Sequence, residues 1–262
     1  MSEREPAAFA LVTGASSGLG AEFARLLAAD GRSLVLVARS AQPMEALATE
    51  LRASGVTVHV IPTDLADPAA PAALFHELQS RGVAIDILIN NAGFGSHGRF
   101  DQSDAAQQMA IVQVNVAALA HLTRLFLPAM VAAGRGRIMN VASVAGFLPG
   151  PLMAVYYASK AFVLSFSEAL SAELRGTGVT VTAVCPGPTQ TDFFNRAKVS
   201  NSRLTTANMM SSQQVAKIGY DAMMAGRRLS VTGWRNRLLT VAIRLVPRGL
   251  AVRAAGRVNA AR

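Results

Sequence analysis

A single cysteine, Cys185, stands among the 262 residues, and one thiol cannot close an intrachain disulfide. A secreted scaffold held by bridges is therefore excluded, and a reducing, cytoplasmic compartment is the expectation. No run of about 18 uncharged apolar residues occurs, so no segment reads as a membrane span. Near the start, Glu3 and Glu5 precede a short apolar run, which is not the basic, then apolar, then small-residue order of a secretory signal. Acids and lysines are absent from Ala222 onward, where nine arginines occur; the positions before it hold 16 basic and 16 acidic residues. The net charge of +9 thus belongs to the tail, and a basic face for nucleic acid across the whole protein is not supported. With no Pro/Gly/Ser-rich linker and no fixed-period repeat, one domain is the simplest account. A chain of this length buries roughly three quarters of its unfolded surface.

Short runs rich in Val, Ile and Leu at 9–12, 33–37, 57–61, 85–89, 137–141 and 179–184 lack polar alternation, as strands buried on both faces do. Helical patterns lie between them at 19–29, 43–54, 68–81, 103–133 and 154–175. Strand and helix in such alternation predict an α/β fold: a single-domain Rossmann-type, doubly wound parallel sheet with helices on both faces. The domain is expected over 1–233, with a basic, apolar tail at 234–262. Residues 186–208 read as a loop following the last long strand, where open α/β sheets place their ligands.

After the first run comes Thr13-Gly14-Ala15-Ser16-Ser17-Gly18-Leu19-Gly20, opening onto a helical pattern. Glycines there let backbone approach a pyrophosphate, and a helix start offers free N–H groups; a plain tight turn is the structural alternative. The second run ends in Ala38-Arg39-Ser40 without an acid. An arginine suits a 2′-phosphate, which favours NADP(H) over NAD(H). Tyr156 and Lys160, four residues apart, share one helical face. An ammonium beside a phenol is expected to lower its pKa from about 10 toward working pH and make it a usable acid or base.

These motifs together resemble the short-chain dehydrogenase/reductase family, in its single-domain branch, from about residue 8 to 233. The glycine turn matches TGxxxGxG, Asn90-Asn91-Ala92-Gly93 follows the fourth strand, and Asn115 lies in the long helix beyond. Ser143 precedes Tyr156 by thirteen positions, and Pro186-Gly187 with Thr191 follows the sixth strand. The resemblance implies that Tyr156 exchanges a proton with the substrate oxygen while Ser143 holds that oxygen. Lys160 would bind the nicotinamide ribose and Asn115 would position a water leading to solvent. Gly14, Ser16, Ser17, Gly18, Leu19, Gly20, Arg39 and Gly93 would cradle the cofactor. Asp64 would meet the adenine, Asn91 the adenosine side or the central sheet, and Thr191, beside Pro186 and Gly187, the carboxamide. The family commonly forms dimers and tetramers through its two longest helices, here 103–133 and 154–175, so a homo-dimer or homo-tetramer is implied.

Tyr157 reads as packing and His97 as a surface loop residue. The other histidines have no ligand spacing, and no metal is expected. Phe94, Phe147, Leu148, Met153, Phe193, Phe194, Met209 and Met210 form an apolar pocket list without a fixed cation. They favour a hydrophobic carbonyl or alcohol, steroid-like, fatty-acyl or another ketone, as substrate. Between Trp234 and Val258 arginines interleave with Leu, Val and Ile. Such a tail suits an anionic membrane surface, a neighbouring subunit or the protein's own cleft. The alternative functional class is a cofactor-binding redox sensor or scaffold whose tail contacts a partner; a complete Ser143, Tyr156 and Lys160 argues against it. Sugar-nucleotide epimerases of the longer branch carry an extra substrate domain and a different glycine spacing.

Overall fold

The computed structural model describes residues 8–193, 197 and 209–260. Strands β1 (Phe9–Thr13), β2 (Ser33–Ala38), β3 (Val58–Pro62), β4 (Ile85–Asn90), β5 (Gly136–Val141) and β6 (Val179–Cys185) form on the six apolar runs. Their side chains alternate between two cores, which is why polar alternation is missing from the sequence. Ala10, Val12, Leu34 and Leu36 face one cluster with Phe23 and Met44. Leu11, Val35 and Val37 face the other with Leu74, Leu122 and Phe126.

Helices α1 (Gly18–Ala29) and α2 (Ala41–Arg52) supply the first core, and α3 (Ala70–Ser80) the second. The single helix expected at 103–133 is divided into α4 (Ala105–Val112), a π-helical turn (Gln113–Ala118) and α5 (Leu119–Ala132). By length and composition that stretch would cross a membrane. Its Val114, Ala118, Leu122, Phe126 and Met130 are instead buried against the sheet, so it is a core helix. Beyond β5, α6 (Ala154–Glu173) carries the tyrosine and lysine.

Within the expected loop after β6 lies a short strand, β7 (Thr189–Gln190), which pairs in parallel with β8 (Met210–Ser211) just beyond the loop's end. Then follow α7 (Ser212–Met224), closed at its start by a Ser211/Gln214 capping box, and β9 (Leu229–Val231). The main sheet is β3-β2-β1-β4-β5-β6-β9, wholly parallel, so it has seven strands where six were expected. A three-residue strand is too short to show a period. The order reverses between β1 and β4, which opens a crevice at their carboxyl ends. Two tail helices, α8 (Trp234–Ala242) and α9 (Arg248–Asn259), complete the chain.

Candidate active site

One cleft of about 1300 Å³ runs along the carboxyl edge of the sheet. At its β1 end the glycine turn is dictated by backbone geometry. Gly14 and Gly18 adopt φ +67° and +55°, and a Cβ on Gly20 would lie 2.2 Å from the Gly14 carbonyl oxygen. Ser16, Ser17, Gly18 and Leu19 line the cleft, and the first turn of α1 carries no acid. A helix start of positive dipole with a side-chain-free approach fits a pyrophosphate. Thr191 folds over this turn, its methyl 3.2 Å from where a Gly18 Cβ would stand. Asn91 braces the sheet: its Nδ2 donates to the carbonyls of Thr13 (2.9 Å) and Gly14 (3.2 Å). Of its two implied roles, bracing is thus made within the chain itself.

Arg39 and Asp64 lie along the same wall, both exposed. Arg39 has no ion-pair partner among the described residues, while an Asp64 oxygen accepts from the Ala66 N–H at 3.0 Å. Farther in, Gly93, Pro186 and Gly187 line the cleft. Gly93 leaves room for two neighbours, since its missing Cβ would stand 3.1 Å from Asn115 Oδ1 and 3.4 Å from Lys160 Nζ.

The three reactive side chains meet at the cleft floor. Ser143 caps a 3-10 turn, its hydroxyl accepting from the Ala145 N–H at 3.1 Å and donating to the Pro186 carbonyl at 3.4 Å, beside Tyr156. Lys160 Nζ donates to the Val141 carbonyl at 2.7 Å and lies 5.9 Å from the Tyr156 ring centre. Asn115 stands one layer behind and does not line the cleft. It is fixed by the π turn, its amide bonded to both backbone groups of Phe94 and to Ser159 Oγ at 3.0 Å.

Burial sets the electrostatics. It pushes Lys160 down to about 8, against a smaller opposing influence of Cys185, and pushes the Cys185 thiol up to about 12. The Tyr156 phenol is also raised by burial, with the Ser143 hydrogen bond opposing. That corrects the expectation of a lowered phenol. The i, i+4 spacing brings the lysine to 5.9 Å from the ring centre, but burial of the phenolate sets the direction.

Phe94, Leu148, Met153, Phe193 and Met210 form the apolar wall, with Phe193 5.1 Å from the Tyr156 ring centre. Phe147 does not belong to it. The 3-10 turn Val144–Phe147 turns that ring against the cluster of Val163, Cys185 and Val231. Met209 is outside the lining as well, whereas Phe194 and residues 198–208 lie outside the described residues.

The rest of the wall comes from the tail, which takes the own-cleft alternative of the three that its sequence offered. Leu239, Ile243, Ala255 and Val258 of the tail line the cleft, and Arg235 puts a cation at its rim, where none was expected. The tail is tied down by Asn259, which is fully buried. Its Oδ1 accepts from the Tyr157 hydroxyl (3.0 Å), its Nδ2 donates to the Pro151 carbonyl (2.9 Å), and its own carbonyl accepts from His97 Nε2 (2.7 Å). Tyr157 and His97, read as packing and surface residues, are therefore tail anchors.

The chain resembles known proteins throughout this architecture. A short chain dehydrogenase family model matches residues 8–201. The ketoacyl reductase HetN of Nostoc sp. is 39% identical over 195 residues, covering 74% of this chain and 68% of that protein. A sulfoacetaldehyde reductase of Chromohalobacter salexigens is 40% identical over 184 residues, covering 70% and 72% respectively. Among solved structures, a short-chain dehydrogenase from Sphingobium yanoikuyae in complex with NADPH superposes with a TM-score of 0.83 at 36% identity, covering 93% of this chain and 94% of that one. Further structural neighbours are in complex with NAD or with NADP. From the glycine turn at the switch point to the serine, tyrosine and lysine on the cleft floor, agreement in sequence and fold makes this chain a member of the short-chain dehydrogenase/reductase family of oxidoreductases.

Proposed function

We propose that this protein uses NADPH to reduce the carbonyl of a hydrophobic ketone, steroid-like, fatty-acyl or similar, to an alcohol. The observation that carries the reading is the meeting of Ser143, Tyr156 and Lys160 beneath an apolar wall, in the cleft that begins at the glycine turn. Bound cofactor would supply the hydride. Gly14, Gly18 and Gly20 admit its pyrophosphate, Ser16, Ser17 and Leu19 flank it, and Arg39 is placed for a 2′-phosphate. Asp64 and Thr191 take the adenine and carboxamide ends, beside Asn91, Gly93, Pro186 and Gly187.

Ser143 holds the carbonyl oxygen and Tyr156 gives it a proton. Because burial raises the phenol, Tyr156 keeps its proton across neutral pH, which suits an acid in the reducing direction. Lys160, held by Val141, keeps positive charge beside the phenolate that forms, and Asn115 fixes the backbone of Phe94 behind it. Phe94, Met153 and Phe193 bind the apolar body of the substrate. The protein is further proposed to be a homo-dimer or homo-tetramer, paired through α4, α5 and α6, whose outer faces leave Met109 and Phe162 exposed. A cytoplasmic compartment suits the one buried thiol.

Initial rates with NADPH and with NADH against hydrophobic ketones and small anionic aldehydes test this. Preference for NADPH and for the ketones is expected. Preference for NADH would overturn the role of Arg39, and preference for the anionic aldehydes would overturn the substrate class.

A further inference from the structure

Eight of the twelve exposed large apolar side chains among the described residues lie between Trp234 and Val258. Their arrangement on α8 is regular. At about 100° per residue, Trp234, Leu238 and Val241 fall on one stripe. Leu239 and Ile243, which line the cleft, fall on the opposite side with buried Thr240. Arg237 flanks the outer stripe on one side and Arg235 on the other, and Arg244 follows in the turn beyond. The next helix repeats the scheme: Ala251, Ala255 and Asn259 are buried, while Leu250, Arg253 and Arg257 face out. Leu245, in the turn between the helices, is 85% exposed. None of these arginines forms an ion pair among the described residues.

We infer that the outer face of α8 and α9 docks on an anionic lipid surface, so that the mouth of the substrate cleft opens at the membrane. Exposed leucines at this density favour a partner that removes them from water. Arginines on both sides of the apolar stripe, one of them hydrogen-bonded to the Val231 carbonyl but none ion-paired among the described residues, favour an anionic partner. A second copy of this chain would bring two acid-free arginine sets together, since no carboxylate side chain follows Asp221. A nucleic acid would meet the arginines and leave the leucines in water. Headgroup phosphates over a hydrocarbon boundary satisfy both, and Trp234, with the Arg235 guanidinium 5.3 Å from its ring centre, suits the boundary itself. Trp234, Leu239 and Val258 are at once exposed and part of the cleft lining, so the docked face and the mouth are continuous. The portal rests on the ketone-reductase reading above; the docking does not.

Sedimentation of the full chain with vesicles separates the two. Vesicles of phosphatidylglycerol and phosphatidylcholine in equal parts are expected to carry wild type down at low salt, and phosphatidylcholine vesicles to leave it in solution. The exposed double variant Leu245→Glu/Leu250→Glu, checked for native circular dichroism, should bind the anionic vesicles about tenfold more weakly for each leucine. Arg244→Gln and Arg253→Gln should each cost about fivefold. Equal binding to both vesicle types, absence of wild-type binding, or undiminished binding of the double variant would overturn the docking. A dimer broken by the double variant, without vesicle binding, would assign the face to a second copy. None of these readouts requires turnover, so they stand even if no ketone is reduced. For the portal, turnover of a vesicle-loaded lipophilic ketone should fall in the double variant while that of a water-soluble ketone is unchanged; equal turnover of both in the variant and wild type would refute it.

Discussion

Replacing Asn259 by leucine removes the one polar side chain of α9 that is hydrogen-bonded to the body of the protein among the described residues. Two partners lose their bonds, the Tyr157 hydroxyl and the Pro151 carbonyl, in a place where Asn259 itself has no exposure. A buried group left unpaired costs about 1–3 kcal/mol, so docking of α9 should weaken by about 2–4 kcal/mol, on the order of a hundredfold in the local opening equilibrium. Hydrogen exchange followed by mass spectrometry reads this directly: amides of α9 should exchange faster by that factor while those of β1 and β4 are unchanged. Trypsin should cut sooner at Arg253 and Arg257. NADPH affinity should hold, because the glycine turn is distant in the cleft, and kcat/KM for a bulky ketone should fall. Tyr157→Phe removes the other end of the same bond, so the double variant should cost less than the sum of the two singles. Unchanged exchange of α9 in Asn259→Leu would refute the anchoring role, and strict additivity would refute the Tyr157–Asn259 pairing.

Gly20→Ala should abolish tight cofactor binding and lower stability by about 1–3 kcal/mol, because its Cβ would stand 2.2 Å from a backbone oxygen that cannot yield cheaply; dinucleotide titration and urea denaturation measure both. Arg39→Gln should weaken NADPH about tenfold or more and leave NADH nearly unchanged, as loss of one charge-assisted phosphate contact requires; paired KM measurements decide it. Lys160 gives a pH signature. Its pKa is about 8 in the folded protein and 10.5 in the reference state, so burying the charge costs stability in full below pH 8, and the cost is relieved as pH rises toward 10.5. Stability of the cofactor-free protein relative to Lys160→Met should therefore rise by about 3 kcal/mol across that window. A flat or falling difference in urea midpoints would refute the burial.

Strands β1 to β6 were legible because burial on both faces writes a run of Val, Ile and Leu, whatever the tertiary detail. Gly14, Gly18 and Gly20 were legible because their backbone angles and close approaches exclude other residues. What was not legible depends on contacts far apart in the chain. Asn259, 102 positions from Tyr157, reads in isolation as a solvated residue at the end of a basic tail. The π turn at Gln113–Ala118 interrupts an apolar pattern that gives no local sign of it, yet it fixes Asn115 beneath Gly93. Phe147 stands in the apolar pocket list by its residue type, but the 3-10 turn Val144–Phe147 packs its ring against Val163, Cys185 and Val231 instead. Spacing likewise put Lys160 beside Tyr156 but carried no information on burial, which reversed the expected direction of the phenol.

The central claim is that Tyr156 donates the proton when a hydrophobic ketone is reduced. The direct measurement is the rate of NADPH oxidation by wild type and by Tyr156→Phe against a panel of such ketones, with NADPH binding to both followed separately. Turnover by wild type, reduced about a hundredfold or more in the variant at unchanged cofactor affinity, is the predicted result. Tight NADPH binding without reduction of any ketone, or equal turnover by the two proteins, would contradict it and favour a cofactor-binding sensor.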